Sequence, residues 1–366
     1  MKHRRALRGI LSLLLLALGG CLLLWSSQLA QAVREGLSLS CQAVLPALFP
    51  FMVLSGFLIN SGLAHSFGQT LSPLFRRLFP ISPPAVSALL LGALGGYPLG
   101  AKTAIQLCQN GECTEMETEY LLAFCNNCGP AFLVGLVGGG IFHSMKAGLL
   151  LYLTHLSAAL LTGLLLRRCT GSAAPLRLCP DSVDPPLSRA FVSAVLSAAE
   201  TGLRVTAFLT TFQVLLAMLR LTGILGAFTR LLGQLPLLRG LEAACLEAIL
   251  TGFWEMASGV QCLSGQNLTA ELPLAALILG WGGLSVHCQV LGLMADTALS
   301  PRLYFQGKVI QGLLAACLTR FLLAHTPIRL HCLCLLLLIS GLSLAAFNFF
   351  TRNQKINSGK RRTDGV

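Results

Sequence analysis

Long apolar blocks separated by short polar or basic connections make up most of this chain. Blocks at 9–29, 37–63, 120–142, 147–166, 190–219, 272–294, 305–324 and 330–349 each approach the roughly 20 apolar residues that a bilayer crossing needs. Two further blocks, 85–107 and 240–262, are interrupted by glycine, proline and polar residues. The first reads Leu94-Gly95-Gly96-Tyr97-Pro98-Leu99-Gly100-Ala101-Lys102, then a polar loop at 108–119, then Phe124-Cys125-Asn126-Asn127-Cys128-Gly129-Pro130. The second reads Leu250-Thr251-Gly252-Phe253-Trp254-Glu255-Met256-Ala257-Ser258-Gly259, a polar loop near 261–271, then Gly280-Trp281-Gly282-Gly283-Leu284-Ser285-Val286-His287. Tyr97 aligns with Phe253 and Gly129 with Ser285 at one offset of 156, without a gap. The pattern predicts a duplicated unit. Membrane segments interrupted at corresponding positions of two halves point to a transporter's binding site.

Loop charges predict how the blocks thread the membrane. With 85–107 and 240–262 as re-entrant hairpins that leave by the face they entered, the basic N-terminus, Arg76, Arg77, the 167–189 linker, Arg302, Lys308 and the basic tail all fall on the cytoplasmic side, as the positive-inside rule asks. Arg230 and Arg239 fall on the other side. The fold class expected is an all-α polytopic membrane protein, about eight transmembrane helices plus two re-entrant hairpins in an inverted repeat. Its divisions are an N-terminal helix in 1–36, a first repeat 37–166, a cytoplasmic linker 167–189, a second repeat 190–325, and a C-terminal helix with a basic tail in 326–366. Both termini are expected in the cytoplasm. Inverted repeats of this kind open alternately to each face around a fixed site.

Composition narrows the class. The chain is 54% apolar and 11% charged, against roughly 25% charged in an ordinary soluble domain. A net charge of +12 invites a nucleic-acid reading, but the cations cluster at the ends and connections and form no stripe interleaved with aromatics. No nucleic-acid partner is expected; the lipid bilayer is. The 14 cysteines fall mostly inside apolar runs and show neither a disulfide framework nor a paired zinc motif. No metal site is expected.

Polar residues at bilayer depth are costly and mark pathways or sites. On that ground the candidate substrate-binding residues are Tyr97, Gly100, Lys102, Asn126, Asn127 and Gly129 in the first copy. In the second they are Glu255, Ser258, Ser285 and His287. Lys102 and half-helix N-termini suit an anionic or strongly polar solute. No cofactor is expected; Glu255 and His287 stand as carriers of a coupling proton or as neighbours of a coupling sodium ion. Enzyme readings fare worse. Cys125-Asn126-Asn127-Cys128 has the form of a thiol oxidoreductase motif, yet Gly129 and Pro130 explain it as a helix break. Ser285 and His287, two apart on a helix, face away from each other.

The combination of Gly96-Tyr97-Pro98-Leu99-Gly100-Ala101-Lys102 with Asn126-Asn127-Cys128-Gly129-Pro130, then Gly252-Phe253-Trp254-Glu255-Met256 and Leu284-Ser285-Val286-His287, resembles the YlbJ family of bacterial sporulation integral membrane proteins, built from two nucleoside-recognition, or Gate, domains. The resemblance covers roughly 37–325. It implies a role in spore maturation, carrying dipicolinic acid across the outer forespore membrane. A small planar aromatic dianion would use Lys102, helix N-termini and carboxamides, with Tyr97, Phe253 or Trp254 to stack on. The alternatives are a nucleoside-type or ion permease of another substrate, and a non-transporting assembly factor.

Overall fold

The computed structural model describes residues 2–324 apart from 64–69, 74, 76, 168–185, 237, 239 and 264. The expected span 330–349, the basic tail and most of the 167–189 linker lie outside the described residues. Helices and their connections account for the rest, with no strand among the described residues.

Helix α1 (Lys2–Leu24) breaks at Trp25. Helix α2 (Ser26–Leu39) then passes through a wide π-helical turn, Ser40–Val44, into α3 (Leu45–Asn60). The two blocks expected at 9–29 and 37–63 therefore meet without a loop. The stretch between them, 30–36, holds mostly good helix formers; its Gly36 stays helical where the backbone packs closely against Thr210, so the helix continues through it.

The first set of short helices follows: α4 (Pro83–Gly95), α5 (Leu99–Gln109), α6 (Glu115–Cys125), a π-helical α7 (Ala131–Ile141) and the long α8 (Met145–Leu166). Next come α9 (Leu187–Leu221) and α10 (Ile224–Gly233). A second set has the same order: α11 (Ala243–Trp254), α12 (Met256–Gln261), α13 (Leu268–Trp281), α14 (Gly283–Met294) and the long α15 (Arg302–Ala324). Within each set the first two helices pack on each other, α4 on α5 and α11 on α12. Across the sets, α15 packs on α8 and α6; within its own set it packs on α13. Both hydrophobic cores draw on both sets: one joins Tyr97, Phe132 and Leu151 to Ala275, Val286 and Ala315, the other joins Phe124 and Ile105 to Val290 and Leu303.

The polarity of the surface is that of a membrane protein. Helix α8 turns Leu149, Leu153, Leu160 and Leu161 outward and buries Thr154, His155 and Thr162, the reverse of a soluble amphipathic helix. Helix α9 exposes Phe191, Leu196 and Leu203 in the same way. Five helical runs among the described residues are long and apolar enough to cross a membrane: Ser26–Asn60, Met145–Leu166, Leu187–Leu221, Leu268–Met294 and Arg302–Ala324. The chain is a multi-pass, all-helical membrane protein. Glu200 and Arg204, one turn apart on α9, form the ion pair their spacing predicts, at 2.7 Å.

Candidate functional site

Each set contains two interrupted helices whose breaks cross. In the first, α4 stops at Gly95 and α5 starts at Leu99, while α6 stops at Cys125 and Pro130 leads into α7. Gly96 has φ +84°, a conformation L side chains rarely adopt, and a Cβ there would lie 2.9 Å from the Gly129 nitrogen. The two backbones therefore touch. Backbone groups freed by the breaks find distant partners. Lys308 Nζ donates to the Asn126 carbonyl. The Cys128 N–H donates to His155 Nε2 at 3.1 Å. Closer to home, Asn127 Nδ2 donates to the Phe124 carbonyl at 2.9 Å.

The second crossing is built differently. A single extended residue, Glu255, separates α11 from α12. Its carboxylate accepts from Ala257 N at 3.0 Å and from Ser258 N and Oγ, both at 2.7 Å. That is an N-cap built from within the break itself. Gly282, with φ +88°, separates α13 from α14; Gly283, the first residue of α14, has φ +78°, and a Cβ on it would lie 2.9 Å from the Met256 nitrogen. Trp281 Nε1 donates to the Phe253 carbonyl at 3.1 Å while its ring stacks on Phe253, centroids 5.6 Å apart.

The two crossings meet. Tyr97 Oη donates to the Leu279 carbonyl at 3.0 Å, and Cys128 Sγ lies 3.8 Å from Met256 Sδ. Behind Tyr97 runs a fully buried polar network. Lys308 Nζ donates to Tyr97 Oη at 3.3 Å and to Gln311 Oε1 at 2.7 Å. Gln311 Nε2 in turn donates to Asn127 Oδ1 at 2.7 Å and lies 3.2 Å from His155 Nε2. Because the Cys128 N–H already points at His155 Nε2, that nitrogen is assigned as the acceptor. His155 and Gln311 are themselves 156 residues apart, the offset that relates Tyr97 to Phe253. Equivalent positions of the two sets thus touch each other.

A small cavity of about 40 Å³ lies at this junction. Tyr97, Cys128 and Gly129 line it from the first crossing, and Glu255, Met256, Ser285 and Gln289 from the second. Its mostly apolar wall with a few polar groups has the usual character of a small-molecule site, while its volume is well below the roughly 300–1,000 Å³ of drug-sized pockets.

Among the residues singled out from sequence, Tyr97, Gly129, Glu255 and Ser285 line the cavity. Asn126 and Asn127 stand behind it in the buried network. Gly100 lets α5 approach α6, since a Cβ there would sit 2.1 Å from the Cys125 carbonyl oxygen. Ser258 binds the Glu255 carboxylate and accepts from Gln213 Nε2. His287 lies off the cavity, bonded through Nδ1 to Tyr304 Oη at 2.8 Å, with its ring against Trp281. Lys102 points away to α9, where Nζ donates to Ser197 O at 3.1 Å and to Ser197 Oγ and Thr201 Oγ1, each at 2.6 Å. No cluster of metal-ligating side chains occurs among the described residues.

The network's central cation, Lys308, is placed by the sequence reading among the cytoplasmic connecting charges; the structure corrects this. It is fully buried, nearly two turns inside α15. The signal was available: Tyr304, Lys308, Gln311, Ala315 and Thr319, spaced by three and four, form one buried stripe on an otherwise apolar helix. His155 occupies the matching face of α8 with Thr154, and Thr319 Oγ1 donates to Thr154 Oγ1 at 2.9 Å across the pair.

The family model for nucleoside recognition, Gate, matches residues 41–142. Over 310 residues the chain is 30% identical to the sporulation integral membrane protein YlbJ of Bacillus subtilis, an alignment covering 78% of this chain and 75% of that protein. No solved structure matches it.

Proposed function

Since this chain belongs to the YlbJ family of sporulation integral membrane proteins, we propose that it carries a small planar polar solute across the membrane by alternating access. The solute we favour is a dicarboxylate of the dipicolinate kind, crossing the outer forespore membrane. One observation carries the transport reading: two helix crossings, one from each half, meet at a single cavity that both of them line. Broken membrane helices facing a shared site at a repeat interface are the architecture of secondary carriers. The matching order of the two sets, and the contact between His155 and Gln311, support an inverted repeat of units 37–166 and 190–325 with re-entrant pairs α4–α5 and α11–α12. With both halves fixed at the pseudo-symmetry axis, rocking one against the other would expose the cavity to either face.

A second reading has its own support. The cavity wall carries one carboxylate, Glu255, and no cation, which favours a neutral solute of the nucleoside type. Reconstituting the chain alone into vesicles and measuring uptake of labelled dipicolinate and labelled nucleosides separates the cases. Saturable dipicolinate uptake is the expected result. Nucleoside uptake alone would select the second reading, and uptake of neither would leave a non-transporting assembly role.

A further inference from the structure

We infer that Lys308, rather than Lys102, is the residue that sets the charge of the solute, by supplying the positive field behind Tyr97 against which an anionic group is held. The inference rests on the transport reading and adds the substrate's charge class. Lys308 is completely buried, and all three of its acceptors are neutral: the Asn126 carbonyl, Gln311 Oε1 and Tyr97 Oη. The ion pairs among the described residues are Arg204 with Glu200 and Arg220 with Glu247, so none involves it. Glu255, the carboxylate at the cavity, is committed to the N–H groups of α12. A buried ammonium without a counter-charge is costly, and an anionic ligand would supply what the protein withholds.

The route from that ammonium to the cavity is short. Nζ lies 5.0 Å from the centroid of the Tyr97 ring, and the same Tyr97 forms part of the cavity wall. Nζ–H donation to Oη makes the phenol a better donor in turn, and its O–H now points at the Leu279 carbonyl. A carboxylate in the cavity would replace that carbonyl as acceptor. In surroundings of low dielectric the lysine's charge reaches it with little screening. Lys102, by contrast, is spread over three oxygens of α9 and does not line the cavity.

Equilibrium binding to the purified full chain tests this without requiring uptake. The probes are dipicolinate and its neutral isostere pyridine-2,6-dicarboxamide, compared on wild type, Lys308→Met, Lys308→Arg and Lys102→Met. Wild type should prefer the dianion. Lys308→Met should weaken dianion binding about thirtyfold or more, the lower end for removing one partner of a buried charge pair, and leave the dicarboxamide unchanged. Lys308→Arg and Lys102→Met should keep the preference. Should Lys308→Met not fold, Tyr97→Phe keeps the ring and removes the hydroxyl that delivers the charge, and it should lower the preference. A preference that survives both Lys308→Met and Tyr97→Phe, one that Lys102→Met abolishes, or a wild type that binds the isostere as well as the dianion would overturn the inference. Intact dianion preference in a protein that fails to move solute would sink transport instead and leave Lys308 in place.

Discussion

The two helix crossings solve one problem in opposite ways. A helix broken inside a membrane leaves N–H and C=O groups that water cannot reach, and each needs a partner from the protein. At the second crossing the partner is next door: Glu255 caps α12 from the residue immediately before it, and Gly282 and Gly283 absorb the turn into α14. At the first crossing the partners come from far along the chain. Asn126 O is met by Lys308 of α15, and the Cys128 N–H by His155 of α8. The first break is therefore held partly across the halves, by Lys308, and partly by His155 of its own half; the second is held mostly from within, with the Leu279 carbonyl accepting from Tyr97 of the other half. A break stabilised across the interface between halves is the one whose stability changes when the halves move. On the carrier function proposed above, the first crossing is the side on which solute and conformation would be coupled.

This contrast can be broken experimentally, beginning with the largest effect. Gly92→Ala would put a Cβ 1.8 Å from the Cys125 carbonyl oxygen and 2.9 Å from Gly100 Cα, both backbone atoms that cannot swing aside. It should abolish monodisperse protein on size-exclusion chromatography. Gly252→Ala meets side-chain rather than backbone atoms, Cγ2 and Cγ1 of the β-branched Ile278 at 2.6 and 2.8 Å, and should lower stability by about 1–3 kcal/mol while the protein still folds. Equal behaviour of the two variants would erase the distinction between a rigid and an adaptable crossing.

Next in size, Asn127→Ala leaves Gln311 Nε2 without its Oδ1 acceptor and the Phe124 carbonyl without its donor. A loss of about 1–3 kcal/mol is expected for each buried group left unsatisfied, read as a lower unfolding midpoint, and solute uptake should fail. Glu255→Ala removes a local cap and should lower stability by about 0.5–2 kcal/mol; since it also removes the cavity's one carboxylate, the dianion preference assigned to Lys308 should persist or rise. If Glu255→Ala destroyed that preference, the second crossing would not be self-contained. Smallest in its effect on uptake, Lys102→Ala should change it by less than about twofold, since its bonds run to α9 and not to the cavity.

The sequence by itself determined the membrane class, the helical composition and the breaks at the two crossings. Those features depend on local facts: runs of apolar residues, and Gly, Pro and Asn at positions that cannot continue a helix. It also exposed the offset of 156, because the two sets of helices carry their breaks at the same register. The partners of those breaks belonged to the tertiary structure. Lys308, Gln311 and His155 sit in helices that look like ordinary spans, and their role comes from which face of α15 meets which face of α8. Lys102 shows the same limit from the other side: a cation beside a break in sequence faces α9, while the cation that reaches the break arrives from 182 residues away. Hydrophobic pattern fixes that a polar side chain in the membrane must find a partner, and only packing decides which one it finds.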